Sequence, residues 1–217
     1  MDSALQYAIE QSFQLSELKT EDFSLSYAGT QNCHVIGRLD RQLLTEKRIL
    51  PICFDSNNGI DLTRDIIKLA VCERHKHTDH KGVGFIQGIG LKSGAIASSV
   101  SHDSHNLIII GTNEADMAFA GNRIRQMGGG SVVVEDGVVI AEMPLPIAGL
   151  MTPKTAEVAA MQNEAVRKSV YALGVPTDYE PFMTMAFVSL PVIPHIKMTT
   201  FGLVDVDKQE LLPLIAP

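Results

Sequence analysis

With 217 residues, 45% hydrophobic and 20% charged side chains, and a formal net charge of −7, the chain has the make-up of an ordinary globular domain. Its 18 basic against 25 acidic residues argue against nucleic acid or an anionic membrane surface as partner, both of which need a basic face. No run approaches the roughly 20 apolar residues of a membrane span, Met1–Leu15 lacks the apolar core of a secretory signal, and Cys33, Cys53 and Cys72, dispersed and without a CxxC pair, read as reduced thiols of a cytoplasmic protein.

Residues 1–17 read as a lead-in helix or arm, with Leu5, Ala8, Ile9 and Phe13 at helical spacing. Asn32–Leu39 reads as a strand, whereas Arg41–Leu50 mixes charge and leucine without a clear period. Asp55-Ser56-Asn57-Asn58-Gly59 is a turn. Ile66–Cys72 is an apolar strand running into Glu73-Arg74-His75, and Lys76–Lys81 is a polar loop. Val83–Gly90 is a glycine-punctuated strand. Gly94–Val100 and Leu107–Thr112 are short apolar runs that read as buried strands. Asn113–Met127 is a helix, capped by Thr112 or Asn113, with Glu114 and Asp116 in its first turn and Gly128-Gly129-Gly130 ending it. Ser131–Val134 and Val138–Glu142 form a hairpin through an Asp-Gly turn. Thr152-Pro153 reads as the start of a second helix reaching Leu173. Phe182–Leu190 is apolar, and Pro191 and Pro194 bracket a break. Short connections between strands favour antiparallel pairing. The predicted class is α+β: mostly antiparallel sheet with two main helices packed on it, as a single domain over residues 1–217.

Between the two buried strands stands Ser101-His102-Asp103-Ser104-His105-Asn106. Desolvating six consecutive polar residues costs several kcal/mol unless each finds a partner, so the segment is a satisfied network or a site. His102, Asp103 and His105 offer donors that suit zinc or manganese. The pair sits on a turn, however, where the spacing is less diagnostic than on a helix. The alternative is a hydrogen-bonded knot in which Asp103 fixes a histidine tautomer and Asn106 caps the turn. Glu73-Arg74-His75 also ends an apolar strand, so the two segments are expected to form one polar cluster, and Arg beside Glu suggests a buried or inter-domain ion pair. His75-x-His77 with His80 has the metal pattern of an amidohydrolase barrel, but such a barrel needs further ligands on later strands and about 250 residues. Gly128-Gly129-Gly130 follows a helix and offers no N-terminus to a phosphate. Gly88-Ile89-Gly90 is no dinucleotide fingerprint, and no G-x-S-x-G elbow accompanies Ser98, Ser99, Ser101 or Ser104.

Taken together, Glu73-Arg74-His75, Gly82-Val83-Gly84-Phe85, Gly94–Val100, His102–Asn106, Gly111-Thr112-Asn113, Asn122-Arg123, Met127–Gly130 and Pro144–Met151 resemble the C-terminal domain of microbial adenine deaminases. Pro181–Thr184, Leu190–Pro194 and Gly202–Asp205 extend the likeness, which runs from about Leu18 to Val206. The resemblance implies hydrolytic conversion of adenine to hypoxanthine and ammonia on a metal-dependent amidohydrolase barrel. That barrel normally precedes this region, and its ligands are not among these residues. The resemblance therefore implies an accessory domain, with an adenine-type purine and a barrel domain or chain as partners. His77 and His80 depart from the plainer loop expected after Glu73-Arg74-His75. The competing reading is a self-sufficient manganese or zinc hydrolase centred on His102, Asp103 and His105.

A domain that covers a barrel should carry an apolar patch. Met143–Met151, apolar and broken by proline, is the candidate, unless it threads the domain's own core. Such a patch left open favours a homodimer.

Overall fold

A computed structural model describes residue 9 and residues 12–217. Most of the expected lead-in helix thus lies outside the described residues. Residues 12–19 run as an irregular arm into a single 3-10 turn at Thr20–Phe23.

The centre is an eight-stranded sheet in the order β2-β1-β4-β3-β6-β5-β7-β8. Its strands are β1 (Thr30–Arg38), β2 (Thr45–Cys53), β3 (Ile66–Cys72), β4 (Lys81–Gln87), β5 (Ala95–Ser98), β6 (Leu107–Gly111), β7 (Gly130–Glu135) and β8 (Val138–Pro144). All neighbours are antiparallel except β1 and β4, which run parallel from Val35 opposite Phe85. Helix α1 (Glu114–Met127) carries the chain from β6 to β7, past the intervening β5. Helices α2 (Ala156–Ala172) and α3 (Pro181–Val188) follow, then a three-stranded sheet of β9 (Ile196–Thr199), β10 (Gly202–Asp205) and β11 (Glu210–Leu212).

Alternation sends side chains to opposite faces of the large sheet. Ala70, Cys72, Ala97, Ile109 and Val132 pack under α1 with Leu15, Leu18 and Phe23 of the arm. Leu69, Val71, Ile96, Ile108 and Val133 pack under α2, α3 and the small sheet, against Val170, Met185, Met198 and Leu203. With both faces covered, β3 and β6 are buried along their whole length, which is why both read as unbroken apolar runs. The structure is α+β, as expected.

Four boundaries differ from the sequence reading. Arg41–Leu50, which showed no period, contains the start of β2. This edge strand exposes much of its surface, so its pattern is weak. The second helix is capped by Thr155, whose side chain accepts from the Val158 amide, and not by Thr152, which instead accepts from Lys154 in a turn. Phe182–Leu190 is mostly helical: Glu180 caps α3, with Pro181 in its first turn. Beyond the prolines lies the small sheet, seated on β4 at Gly82. A Cβ at Gly82 would stand 2.0 Å from the Thr199 carbonyl oxygen, so only glycine lets the two layers meet there.

Candidate functional site

Cys72 at the end of β3 lies opposite Leu107 at the start of β6. This register brings the loop after β3 and the loop before β6 to one end of the sheet, so Glu73-Arg74-His75 meets Ser101–Asn106. Arg74 is the hub. It is 2% exposed, its Nε donates to the His105 carbonyl at 2.6 Å and its Nη2 to the Ala148 carbonyl at 3.1 Å. The Phe13 ring lies 4.8 Å from the guanidinium, and the Arg74 carbonyl accepts from the Gln14 amide at 2.8 Å. Burial pushes the Arg74 pKa down to about 10, which leaves it charged at neutral pH. The expected ion pair with Glu73 does not form. Arg74 is paired with carbonyls, and the Glu73 carboxylate turns back on its own loop to accept from the amides of His75, Lys76 and Thr78 and the Thr78 hydroxyl. Burial raises the Glu73 pKa, and these donors outweigh it, holding it below the usual glutamate value.

His75 Nε2 donates to the Ser104 carbonyl at 2.8 Å, which assigns its tautomer. Its proton is committed to holding the loop. Ser101 is fully buried, its hydroxyl 2.5 Å from that of Ser189 after α3, while its carbonyl accepts from the His105 amide at 2.7 Å. The Ser189 hydroxyl also reaches the His102 carbonyl at 3.2 Å, and the His102 amide donates to the Ala186 carbonyl. The loop is thus bolted to the end of α3, with the His102 ring packed on Phe187 at 4.9 Å between centroids. The His102 and His105 rings lie 5.9 Å apart at a 55° tilt. Burial, then the neighbouring His102 and Arg74, push the His105 pKa below its ordinary value, with Asp103 opposing.

Asn106 donates from Nδ2 to the Ser104 hydroxyl at 3.0 Å, while its Oδ1, buried, has no partner; His105 Nδ1 is likewise buried and unpaired. Asp103, Ser104 and Asn106 line one end of an open groove of about 910 Å³. Its walls come from the segment after α3 (Leu190, Pro191, Val192) and from the small sheet (Phe201, Val204, Leu211). Sequence reasoning missed these walls. The available signal was Phe201, a large apolar residue in the polar run Thr199-Thr200-Phe201-Gly202.

The proposed metal set is not assembled: among the described residues no three His, Cys, Asp or Glu side chains come together as ion ligands. Both imidazole segments serve the loop instead, His102 against Phe187 and His105 through its backbone to Arg74. His77 and His80 are exposed, and His80 lies 4.9 Å from the Phe201 ring. Ser99 is a structural hydroxyl, donating to the Gly149 carbonyl at 2.6 Å and accepting from the Gly130 amide at 2.8 Å. Gly128 is the left-handed cap of α1. The Met143–Met151 stretch is tied into the domain by Arg74, Ser99 and the Gly129 carbonyl. Met151 at the end of that stretch is 57% exposed, and at the groove rim Val192 is 73%, Phe201 68% and Leu211 60% exposed.

The profile of the family described as the adenine deaminase C-terminal domain matches residues 42–210. Adenine deaminase 2 of Carboxydothermus hydrogenoformans is 43% identical over 208 residues, which cover 95% of this chain and 36% of that one. Adenine deaminase 1 of Rhizobium meliloti is 46% identical over 197 residues, 90% of this chain and 34% of that one. The adenine deaminase of Brucella abortus is 51% identical over 157 residues, 71% of this chain and 27% of that one. The chain spans about a third of the length of the curated relatives it matches.

Proposed function

The chain belongs to the adenine deaminase C-terminal domain family, and from that premise we propose that it is the accessory domain of an adenine deaminase. In that role it packs on a catalytic portion and supports the hydrolysis of adenine to hypoxanthine and ammonia without carrying the bond-breaking groups. The observation that carries this reading is the coverage: 95% of this chain answers to 36% of a deaminase. The loop chemistry agrees with it. Arg74, His75, Ser101 and Ser189 spend their donors on backbone and hydroxyl partners that hold the loops in shape.

A self-sufficient metal hydrolase centred on His102, Asp103 and His105 is not favoured. Among the described residues these side chains do not come together as a set of three metal ligands. An adenine-type purine and a catalytic domain or chain are the partners proposed for the assembled enzyme.

The test compares hypoxanthine formation by the purified chain with that of a chimera. In the chimera this chain replaces the matching third of the Carboxydothermus hydrogenoformans enzyme. The chimera is expected to deaminate adenine and the chain alone to do nothing above the uncatalysed rate. Turnover by the chain alone, abolished by His102→Asn, overturns the reading.

A further inference from the structure

We propose that the arm and the 101–106 loop form one conformational unit, in which Arg74 relays a displacement of Phe13 and Gln14 to the strained backbone at His105. The inference goes beyond the accessory-domain reading and does not depend on it, because every part of the relay lies within this chain.

The two ends of the relay sit on opposite faces of the large sheet. The arm packs through Leu15, Leu18 and Phe23 on the α1 face. The loop is fastened to the end of α3, whose Met185 and Val188 pack on the other face. Between them, past the end of β3, stands Arg74. Its carbonyl accepts from the Gln14 amide, its guanidinium lies over the Phe13 ring, and its Nε–H holds the His105 carbonyl. The guanidinium has little slack: a Cβ at Gly149 would stand 3.0 Å from its Cζ and from both terminal nitrogens. Its hydrogen bonds lie in the guanidinium plane and weaken steeply as the N–H···O angle closes. Taking away the Phe13 ring lets that plane rock, so the arm contact sets how firmly His105 is held. The arm's other anchors, Leu18 on Asn122 and Asp22 on Lys81, lead to α1 and β4 and not to the loop.

The loop is the element with two arrangements. His105 has a φ of 50°, in the left-handed region, which a residue with a Cβ keeps only where its surroundings over-determine it. Its ring Nδ1 is also buried with no partner among the described residues. Two clamps hold this conformation, Arg74 on the His105 carbonyl and the Ser101 carbonyl on the His105 amide. Once Arg74 lets go, backbone strain and the unpaired nitrogen both favour release, because φ can return to the ordinary region and Nδ1 can reach water. An element with two such arrangements, biased by both ends of the relay, is what physical coupling requires, and linkage makes that coupling reciprocal. Where a catalytic portion precedes the arm, as the family's description as a C-terminal domain implies, its movement reaches the loop by this route.

The test is amide hydrogen exchange on the 217-residue chain, resolved by NMR at three hydrogen-bonded amides. His105 reports the loop, Gln14 the arm, and Gly137, held by Asp116 at the far end of the sheet, is the control. Phe13→Ala is expected to speed exchange at His105 at least tenfold and to leave Gly137 unchanged. Ser189→Ala, which frees the loop from α3, is expected to speed exchange at Gln14 at least threefold. In an Arg74→Lys or Arg74→Met background, whichever folds, Phe13→Ala is expected to add less than twofold at His105. Unchanged exchange at His105 in Phe13→Ala, or at Gln14 in Ser189→Ala, overturns the coupling, and neither measurement needs an Arg74 variant. Equal acceleration at Gly137 marks general loosening and overturns it too. Full acceleration at His105 with Arg74 replaced overturns Arg74 as the relay.

Discussion

Arg74 donates its Nε–H to the carbonyl oxygen of His105 across 2.6 Å, tying together two hairpin loops that the sequence separates by 31 positions. The same guanidinium holds Ala148, so one buried side chain fastens three loops. Its hydrogen-bond partners are two neutral carbonyls, and the Phe13 ring and the nearby Glu73 charge also stabilise the cation, without a direct ion pair.

Arg74→Met is expected to destabilise the domain by about 3 kcal/mol, because Met keeps the stem but removes the guanidinium, and two buried carbonyls lose a charged donor. Urea denaturation at neutral pH measures this. Amide exchange should quicken first in residues 101–106. A loss below about 0.5 kcal/mol would show that water replaces the guanidinium without penalty.

Gly82→Ala is expected to cost more than about 2 kcal/mol, since the new Cβ meets the Thr199 backbone at 2.0 Å and neither strand can yield alone. The small sheet must lift from β4, which deforms the groove wall at Phe201. Thermal denaturation checks the cost. Gly137→Ala serves as the comparison, because a Cβ there meets nothing within 4 Å and only the positive φ of 72° is strained.

Glu73 holds its loop as a carboxylate, and its pKa is lowered on folding from an ordinary value of 4.5. A carboxylate whose folded pKa is depressed stabilises the fold fully above the unfolded value and loses that contribution as pH falls through the folded one. Glu73→Gln is therefore expected to be the less stable protein above about pH 4.5, with the two stability curves converging at lower pH. Melting temperatures of both proteins between pH 3 and 7 decide it. A gap that stays constant with pH would mean the carboxylate charge contributes nothing.

Lys197 is fully buried on β9, with Nζ donating to the Leu43 carbonyl at 3.2 Å and the Thr45 hydroxyl at 3.1 Å. Burial pushes its pKa down to about 8, from 10.5. Between those two values the unfolded chain binds the proton that the folded one has released, so stability contributed by this group rises with pH across that window. Relative to Lys197→Met, the wild-type protein should gain stability from pH 8 to 10.5 in urea titrations. A parallel pair of curves would place the folded Lys197 pKa at its ordinary value.

The fold was legible where burial writes a period. β3 and β6 are buried on both faces, and their limits at Cys72 and Leu107 agree with the apolar runs to the residue. α1 begins where Asn113 caps it and ends where Gly128 takes a left-handed turn. β2 was illegible because an edge strand satisfies only one side of its ladder and exposes alternate residues to water, so charge and leucine mix. The small sheet was hidden by Pro191 and Pro194, which break a pattern locally without saying that strands resume after them.

By itself the sequence determined the class, the buried strands, the polar junction at 101–106 and, through its motifs, the family. These properties depend on neighbours along the chain, and local chemistry states them directly. Only the tertiary structure decided what the junction does. The pairing of Cys72 with Leu107 sets Arg74 beside His105, the seating of β9–β10 on Gly82 raises a wall at Phe201, and Asn106 lines the open groove beside it. Register and layer packing join residues that are remote in the chain. The strength of such a contact depends on distances that composition and spacing do not contain.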